Sequence, residues 1–280
     1  MKYIITEQII EEYKKYLIRE EKSKATISKY IRDIKKLMDY AAGCEITKEL
    51  MAIYKKDLYI NKQYELSSIN SFIIAVNRLF EYMKWYGLHT KTYHIQKKVF
   101  SPGNRNLSKK EYKKLVSAAM RSGKKRLAMI IRTLGSMGIR ISELSYITLE
   151  GVKSGIIDIY CKGKQRKALV PGKLQKILLR YASENGIESG MLFCTSSGKA
   201  VDRSNIWKEM KKLAKKAGVA KEKIFPHNLR HLFAKTFYNI DKDIMMLAGL
   251  LGHNSIETTR IYIMTTCEEY QKQLDKMELV

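Results

Sequence analysis

The chain has 280 residues, room for two modest domains that each bury a core, and its 45% hydrophobic content excludes a disordered chain. Its 4 cysteines lie far apart with no C-x-x-C pair, which argues against a zinc ribbon or a disulfide framework and fits a reducing cytosol. The 53 Lys and Arg against 28 Asp and Glu leave a net charge of +25, which attracts polyanions, nucleic acid first and an anionic membrane surface second.

The N-terminal stretch MKYIITEQIIEEYKKYL carries acids inside its apolar pattern, unlike a signal peptide. No apolar run approaches the ~18 residues of a bilayer span, so a soluble, cytoplasmic protein is expected. Thr6 can cap a first helix whose Ile9, Ile10, Tyr13 and Leu17 share one face. A second helix begins near Thr26 and places Ile27, Tyr30, Ile31, Ile34, Leu37 and Met38 at helical steps. The third pattern is weaker, with Ile46, Leu50, Ile53 and Tyr54. The fourth turns Ile69, Phe72, Ile73, Val76, Leu79, Phe80 and Met83 inward and stops at Gly87. Residues 1–90 therefore read as a small four-helix bundle. Its outer lysines (Lys14, Lys15, Lys22, Lys24, Lys29, Lys35, Lys36) suit either DNA contact or a solvated face. Residues 91–106, with Pro102 and Gly103 among polar and basic side chains, read as a linker.

A second domain, 107–280, opens at Leu107 with the capping-box pair Ser108 and Glu111. RLAMIIRTLGSMGIRISELSYI follows as helix with a glycine break. GIIDIYCKGKQRKALVPG reads as two short strands around a basic turn, and helices are expected from Gly172 to the end. The fold class is mainly α, with a mixed α/β C-terminal domain built around one small hairpin.

Within this domain 4 separated clusters carry chemistry, each of which alone would pass for ordinary surface or core. In Gly138-Ile139-Arg140-Ile141-Ser142-Glu143-Leu144, an arginine stands after the glycine break with an acid three residues on to orient it. Lys162-Gly163-Lys164-Gln165-Arg166-Lys167 makes a basic hairpin tip. Pro226-His227-Asn228-Leu229-Arg230-His231 puts His227 and Arg230 on one helical face, with His231 one turn from His227. The two histidines could hold zinc, yet the glutamate of H-E-x-x-H is missing and no cysteine lies nearby. In the fourth cluster, Gly252 ends a helix and Asn254 with Glu257 reads as the cap of the next. That puts His253 in the corner and Tyr262 two turns along.

The order Arg140, Lys162, His227, Arg230, His253, Tyr262 suits attack on a phosphodiester. Tyr262 supplies a hydroxyl nucleophile. Arg140 and Arg230 would grip the non-bridging oxygens, and Lys162 would protonate the leaving oxygen. His227 would assist proton transfer while His253 donates a hydrogen bond to the phosphate. Nothing in the set demands a metal, no cofactor is expected, and there is no G-x-x-x-x-G-K-[ST] loop for ATP.

With these residues in this order, the sequence resembles the tyrosine recombinase (phage integrase) family over nearly its whole length. G-I-R-I-S-E-L resembles the family's first arginine box and H-N-L-R-H its second. L-G-H-N-S-I-E-T-T-R-I-Y is similar to its histidine–tyrosine box, including the nine-residue step from His253 to Tyr262. Lys-Gly-Lys before Val170-Pro171 resembles the hairpin lysine, and KSKATISKYIRDIKKL the SAM-like core-binding domain. The run from Lys162 to Pro171 is one residue longer than the commonest family pattern, which makes Lys164 a second candidate for the acid. Met137 stands where the family often has threonine.

The resemblance implies a Xer-like, two-domain site-specific recombinase or mobile-element integrase that clamps double-stranded DNA. Such a protein works as a homotetramer on synapsed sites, through 3′-phosphotyrosine links and a Holliday junction, without ATP. It leaves room for an accessory directionality factor or a second recombinase. It also implies that the C-terminal segment docks on a neighbouring protomer, for which Tyr270, Leu274 and Met277 form an apolar stripe. The competing readings are a type IB topoisomerase, which relaxes supercoils as a monomer, and a DNA-binding regulator that lost the chemistry. A plain architectural binder would leave the boxes as coincidence.

Overall fold

A computed structural model of the chain describes residues 3–95, 106–161, 164–195, 197–264, 271 and 274–277. The chain divides into two compact units, Met1–Lys97 and Lys98–Val280. Lys162, Tyr270 and most of the expected linker lie outside the described residues.

The first unit holds α1 (Glu7–Arg19), α2 (Lys24–Ala41), α3 (Lys48–Ile60) and α4 (Leu66–Tyr82). Three of the four starts are capped by a hydroxyl: Thr6, Ser23 and Thr47 each accept from the backbone N–H three residues on. Ser23 therefore starts α2 at Lys24, ahead of the expected Thr26, whose own hydroxyl pairs with Ser23 Oγ. The fourth helix ends at Tyr82, because Lys84 adopts φ 59; Gly87 lies beyond, in a separate 3-10 turn, Tyr86–Leu88. Ile10, Ile34, Leu37, Ile46, Ile69, Ile73 and Phe80 are fully buried between the helices. Each such side chain contributes roughly 1.5–3 kcal/mol by leaving water. Ile9, Ile27 and Ile31 pack only at the rim.

The second unit opens with α5 (Lys109–Arg121), whose capping box is formed: Ser108 N–H donates to Glu111 Oε2 at 2.8 Å and Glu111 N–H to Ser108 Oγ at 3.2 Å. Next come α6 (Lys125–Met137), a 3-10 turn (Ile141–Tyr146) and α7 (Leu149–Ser154). The antiparallel hairpin of β1 (Ile156–Cys161) and β2 (Lys164–Leu169) pairs Ile159 with Arg166. After it run α8 (Gly172–Glu184), α9 (Arg203–Lys212), α10 (Ala214–Ala217), α11 (Pro226–Asp241), α12 (Ile244–Leu251) and α13 (Ile256–Ile263).

The expectation of helices from Gly172 to the end misses a non-helical stretch between Met191 and Ala200. There the described residues form two isolated bridges, Thr148↔Met191 and Cys194↔Ala200, and Leu192 and Phe193 sit in the core. A large core surrounds α6, and a small one gathers Ala234, Leu247, Leu251 and Tyr262. Among the described residues no helix is long and apolar enough to cross a membrane.

Candidate active site

The site lies where α6, α11, α12 and α13 end or begin. Gly138 closes α6 in the left-handed region, φ 61, and a Cβ there would overlap the Phe233 ring, so glycine is required twice over. The chain then reverses into the 3-10 turn with Arg140 at its N-cap position. Glu143 holds that arginine in two ways: its Oε2 accepts the Arg140 backbone N–H at 2.7 Å, and its Oε1 meets Arg140 NH1 at 3.1 Å. The carboxylate is 1% exposed, while the Arg140 side chain keeps 40% of its surface open. Burial alone would raise the Glu143 pKa. The Arg140 backbone N–H and the two guanidiniums of Arg166 and Arg140 outweigh that and hold it below the usual carboxylate range.

Pro226 occupies the first turn of α11, where its missing N–H costs nothing, and the helix carries His227, Arg230 and His231. Arg230 is 1% exposed and hydrogen-bonds through both terminal nitrogens. NH1 donates to the Gly138 carbonyl at 2.6 Å, and NH2 donates to the Leu251 carbonyl at 2.7 Å and to His253 Nε2 at 2.8 Å. The guanidinium thus ties together the ends of α6 and α12. Burial first, then Arg140, pulls its pKa down to about 10, which leaves it cationic at neutral pH.

Gly252 ends α12 at φ 64 and turns the chain into α13. That helix starts at Ile256 with Ser255 at the N-cap position and no side-chain cap bond, so the expected Asn254–Glu257 cap does not form. His253 sits in the corner, its Nδ1 2.9 Å from Thr259 Oγ1. Since a guanidinium only donates, His253 Nε2 accepts from Arg230, and the ring proton sits on Nδ1 facing Thr259. Burial, then Arg230, Arg140 and Arg166, lower its pKa to about 4. Donating to a phosphate therefore needs a proton on Nε2, which an incoming phosphate's negative charge favours.

Tyr262 is buried, its hydroxyl 3.3 Å from His227 Nε2 and its ring beneath the Arg230 guanidinium at 5.9 Å. Burial, then Arg230 and Arg140, lower the His227 pKa, so its imidazole is neutral at pH 7 and can accept the phenol proton. His231 packs on the other part of the tyrosine ring with centroids 4.3 Å apart. Burial, then His227 and Arg230, push its pKa down to about 4. A hydroxyl beside a neutral base and among fixed cations is equipped for displacement at a phosphodiester.

Of the expected set, Arg140, His227, Arg230, His253 and Tyr262 converge on this spot, while Lys162 lies outside the described residues. Two contributors were not assigned a role from sequence. His231 was visible one turn from His227, but nothing in the sequence placed a tyrosine ring against it. Arg166 was counted only as one charge in a basic hairpin; it turns inward to pair with Glu143 at 2.7 Å.

A model of the phage integrase family matches residues 105–269, and one of the phage integrase N-terminal SAM-like domain matches residues 10–87. The tyrosine recombinase XerA of Pyrococcus furiosus is 28% identical over 98% of this chain and 95% of its own length. A crystal structure of the site-specific recombinase XerH bound to difH substrate, a pre-cleavage complex, superposes with a TM-score of 0.69 at 20% identity, over 91% of this chain and 80% of that one. A lambda integrase tetramer bound to a Holliday junction gives 0.73 at 17% identity, covering 91% and 76%.

Proposed function

The chain belongs to the phage integrase family, and on that premise we propose that it is a site-specific tyrosine recombinase that cleaves and rejoins duplex DNA. The observation that carries the reading is the Tyr262 hydroxyl, 3.3 Å from a neutral His227 and beside the buried Arg230. Tyr262 attacks the scissile phosphate and His227 takes its proton. Arg140 and Arg230 neutralise the non-bridging oxygens, and His253 reinforces them. A hairpin lysine, Lys162 or its neighbour Lys164, protonates the 5′-oxygen as it leaves. The product is a 3′-phosphotyrosine link that conserves the bond energy, so the free 5′-hydroxyl of a second strand can reverse the step without ATP.

Residues 1–90 form the core-binding domain, 91–106 the linker and 107–280 the catalytic domain. The SAM-like match over 10–87 supports the first of these assignments. The net charge of +25 supports wrapping of DNA. The protein acts in the cytoplasm as a homotetramer on two synapsed sites, a reading supported by the tetrameric assembly of lambda integrase on a junction. A directionality factor or a second recombinase sets the outcome where one is required.

The test is a trapping assay with nicked duplexes drawn from DNA flanking the gene and from genomic fragments, run without added metal. Native protein is expected to give a denaturant-resistant protein–DNA band. Tyr262→Phe, which removes only the attacking oxygen, should give none while binding the same DNA. A protein that binds these fragments and never forms the band is a regulator rather than a recombinase. Relaxation of a plasmid lacking any site would mark a topoisomerase.

A further inference from the structure

Arg166 stands outside the expected catalytic set, yet it touches more of the site's scaffold than any hairpin charge needs to. Its β2 neighbour Lys167 reaches out to Asp158 across the strand pair at the surface, whereas the Arg166 side chain folds inward and is 16% exposed. NH2 donates to Glu143 Oε2 at 2.7 Å, and NH1 donates to the Leu250 carbonyl at 3.1 Å. Its methylenes run so close beneath Gly252 that a Cβ there would overlap Arg166 Cδ. One planar fork thus joins three chain segments: the hairpin, the turn that presents Arg140, and the end of α12 that leads into His253.

We propose that Arg166 is a positioning residue for strand cleavage, one that fixes the Arg140 guanidinium through their shared carboxylate, Glu143, and braces the His253 corner through Leu250. The inference rests on the phosphotyrosine reading of this site. Arg140 is a long side chain, and among the described residues its charged anchor is Glu143 Oε1 at 3.1 Å. That anchor is only as rigid as the carboxylate. With Arg166 removed, Glu143 keeps the Arg140 backbone N–H on Oε2 and loses the guanidinium that balances its charge there. A buried carboxylate so deprived turns or takes up a proton, and either frees Arg140. A displacement of ~1 Å in a phosphate-binding cation costs up to ~100-fold in rate while leaving the many other DNA contacts in place. Lysine cannot replace the fork, since a single ammonium cannot span Glu143 and the Leu250 carbonyl in fixed planar geometry.

The experiment compares the full-length native protein, Arg166→Gln, Arg166→Lys and Arg140→Ala on two nicked duplexes carrying the site trapped with native protein. In the second duplex a methyl group replaces one non-bridging oxygen of the scissile phosphate, which removes the charge that Arg140 neutralises. A defect that lies in Arg140 placement must shrink on the methyl substrate; a general loss of folded protein cannot. Arg166→Gln is expected to form the Tyr262 adduct about 10- to 100-fold more slowly on the ordinary duplex, with Arg166→Lys between it and native, and with DNA affinity within about 2-fold. On the methyl duplex the deficit of Arg166→Gln should contract in parallel with that of Arg140→Ala.

Native-like cleavage by folded Arg166→Gln would overturn the proposal, and so would an equal deficit on both duplexes. Should Arg166→Gln fail to fold, Arg166→Lys, which keeps a cation for Glu143, carries the same comparison. A native protein that forms no adduct on either duplex would instead overturn the reading of the site, and the inference would fall with it.

Discussion

Among the described residues each unit buries one carboxylate almost completely and pairs it with two cations, and the two arrangements serve opposite ends. In the first unit Asp33 is fully buried, paired with Lys29 at 2.7 Å and Arg32 at 3.3 Å, all three on α2. Lys29 also donates to the Ser71 carbonyl at 2.9 Å, so the pair pins α2 to α4. In the second unit Glu143 draws one cation from its own turn and the other from a hairpin 23 residues away. The Asp33 cluster is assembled by helical spacing and spends its charges on joining helices. The Glu143 cluster is assembled by tertiary folding and leaves one face of Arg140 open. Burial of a charge requires partners in both places; in the second the partner left partly open, Arg140, also acts electrostatically on Arg230 and His227.

Substitutions at the two carboxylates sharpen that contrast. Glu143→Ala should have the largest effect, since it leaves Arg166 inside without a counter-charge and frees Arg140. We expect about 3 kcal/mol of lost stability by chemical denaturation and about 100-fold slower adduct formation. Asp33→Asn should cost about 1–3 kcal/mol, less because Lys29 and Arg32 are 32% and 64% exposed and can return to water. Its adduct yield per bound complex should equal native, and a cleavage defect there would break the division between a structural and a functional carboxylate.

Acid separates the units differently. His231 and His253 titrate near 4 in the fold against 6.5 for an unperturbed histidine, and both lie in the second unit. Between those values the unfolded chain binds more protons than the native one, so their contribution is complete above about 6.5 and lost as pH falls toward 4. Hydrogen exchange from pH 7 to pH 4 should show α11–α13 opening before α1–α4; simultaneous opening would count against this assignment. The smallest effect belongs to Lys35→Ala, which breaks an exposed pair with Glu7. It should leave stability by chemical denaturation indistinguishable from native, while lowering the salt dependence of DNA binding by about one counterion if that face meets a phosphate.

Much of the site was legible because its signals are local. The glycine break before Arg140, the helix end at Gly252 and the Ser108–Glu111 box each act within one turn of chain, and each formed as expected. The same logic misread the start of α13, where Asn254 and Glu257 have the spacing of a cap and Ser255 holds the position. It also missed the non-helical stretch that holds Met191, which bridges to Thr148, a residue remote in sequence. Asp33 carries no pattern that marks it for burial, since an acid four residues after a lysine usually lies on a solvated face.

By its own sequence this chain specifies two units, their helices and hairpin, and the ordered boxes of a phosphodiester-cleaving site, because capping, amphipathic period and motif spacing operate over a few residues. Tertiary structure decided that the arginine of the hairpin turned inward, which ring nitrogen of His253 kept its proton, and which imidazole lay against the Tyr262 hydroxyl. Those outcomes depend on desolvation and on partners such as Leu250, Leu251 and Gly138, whose backbone carbonyls have no signature in sequence and acquire a role only when folding brings a guanidinium to them.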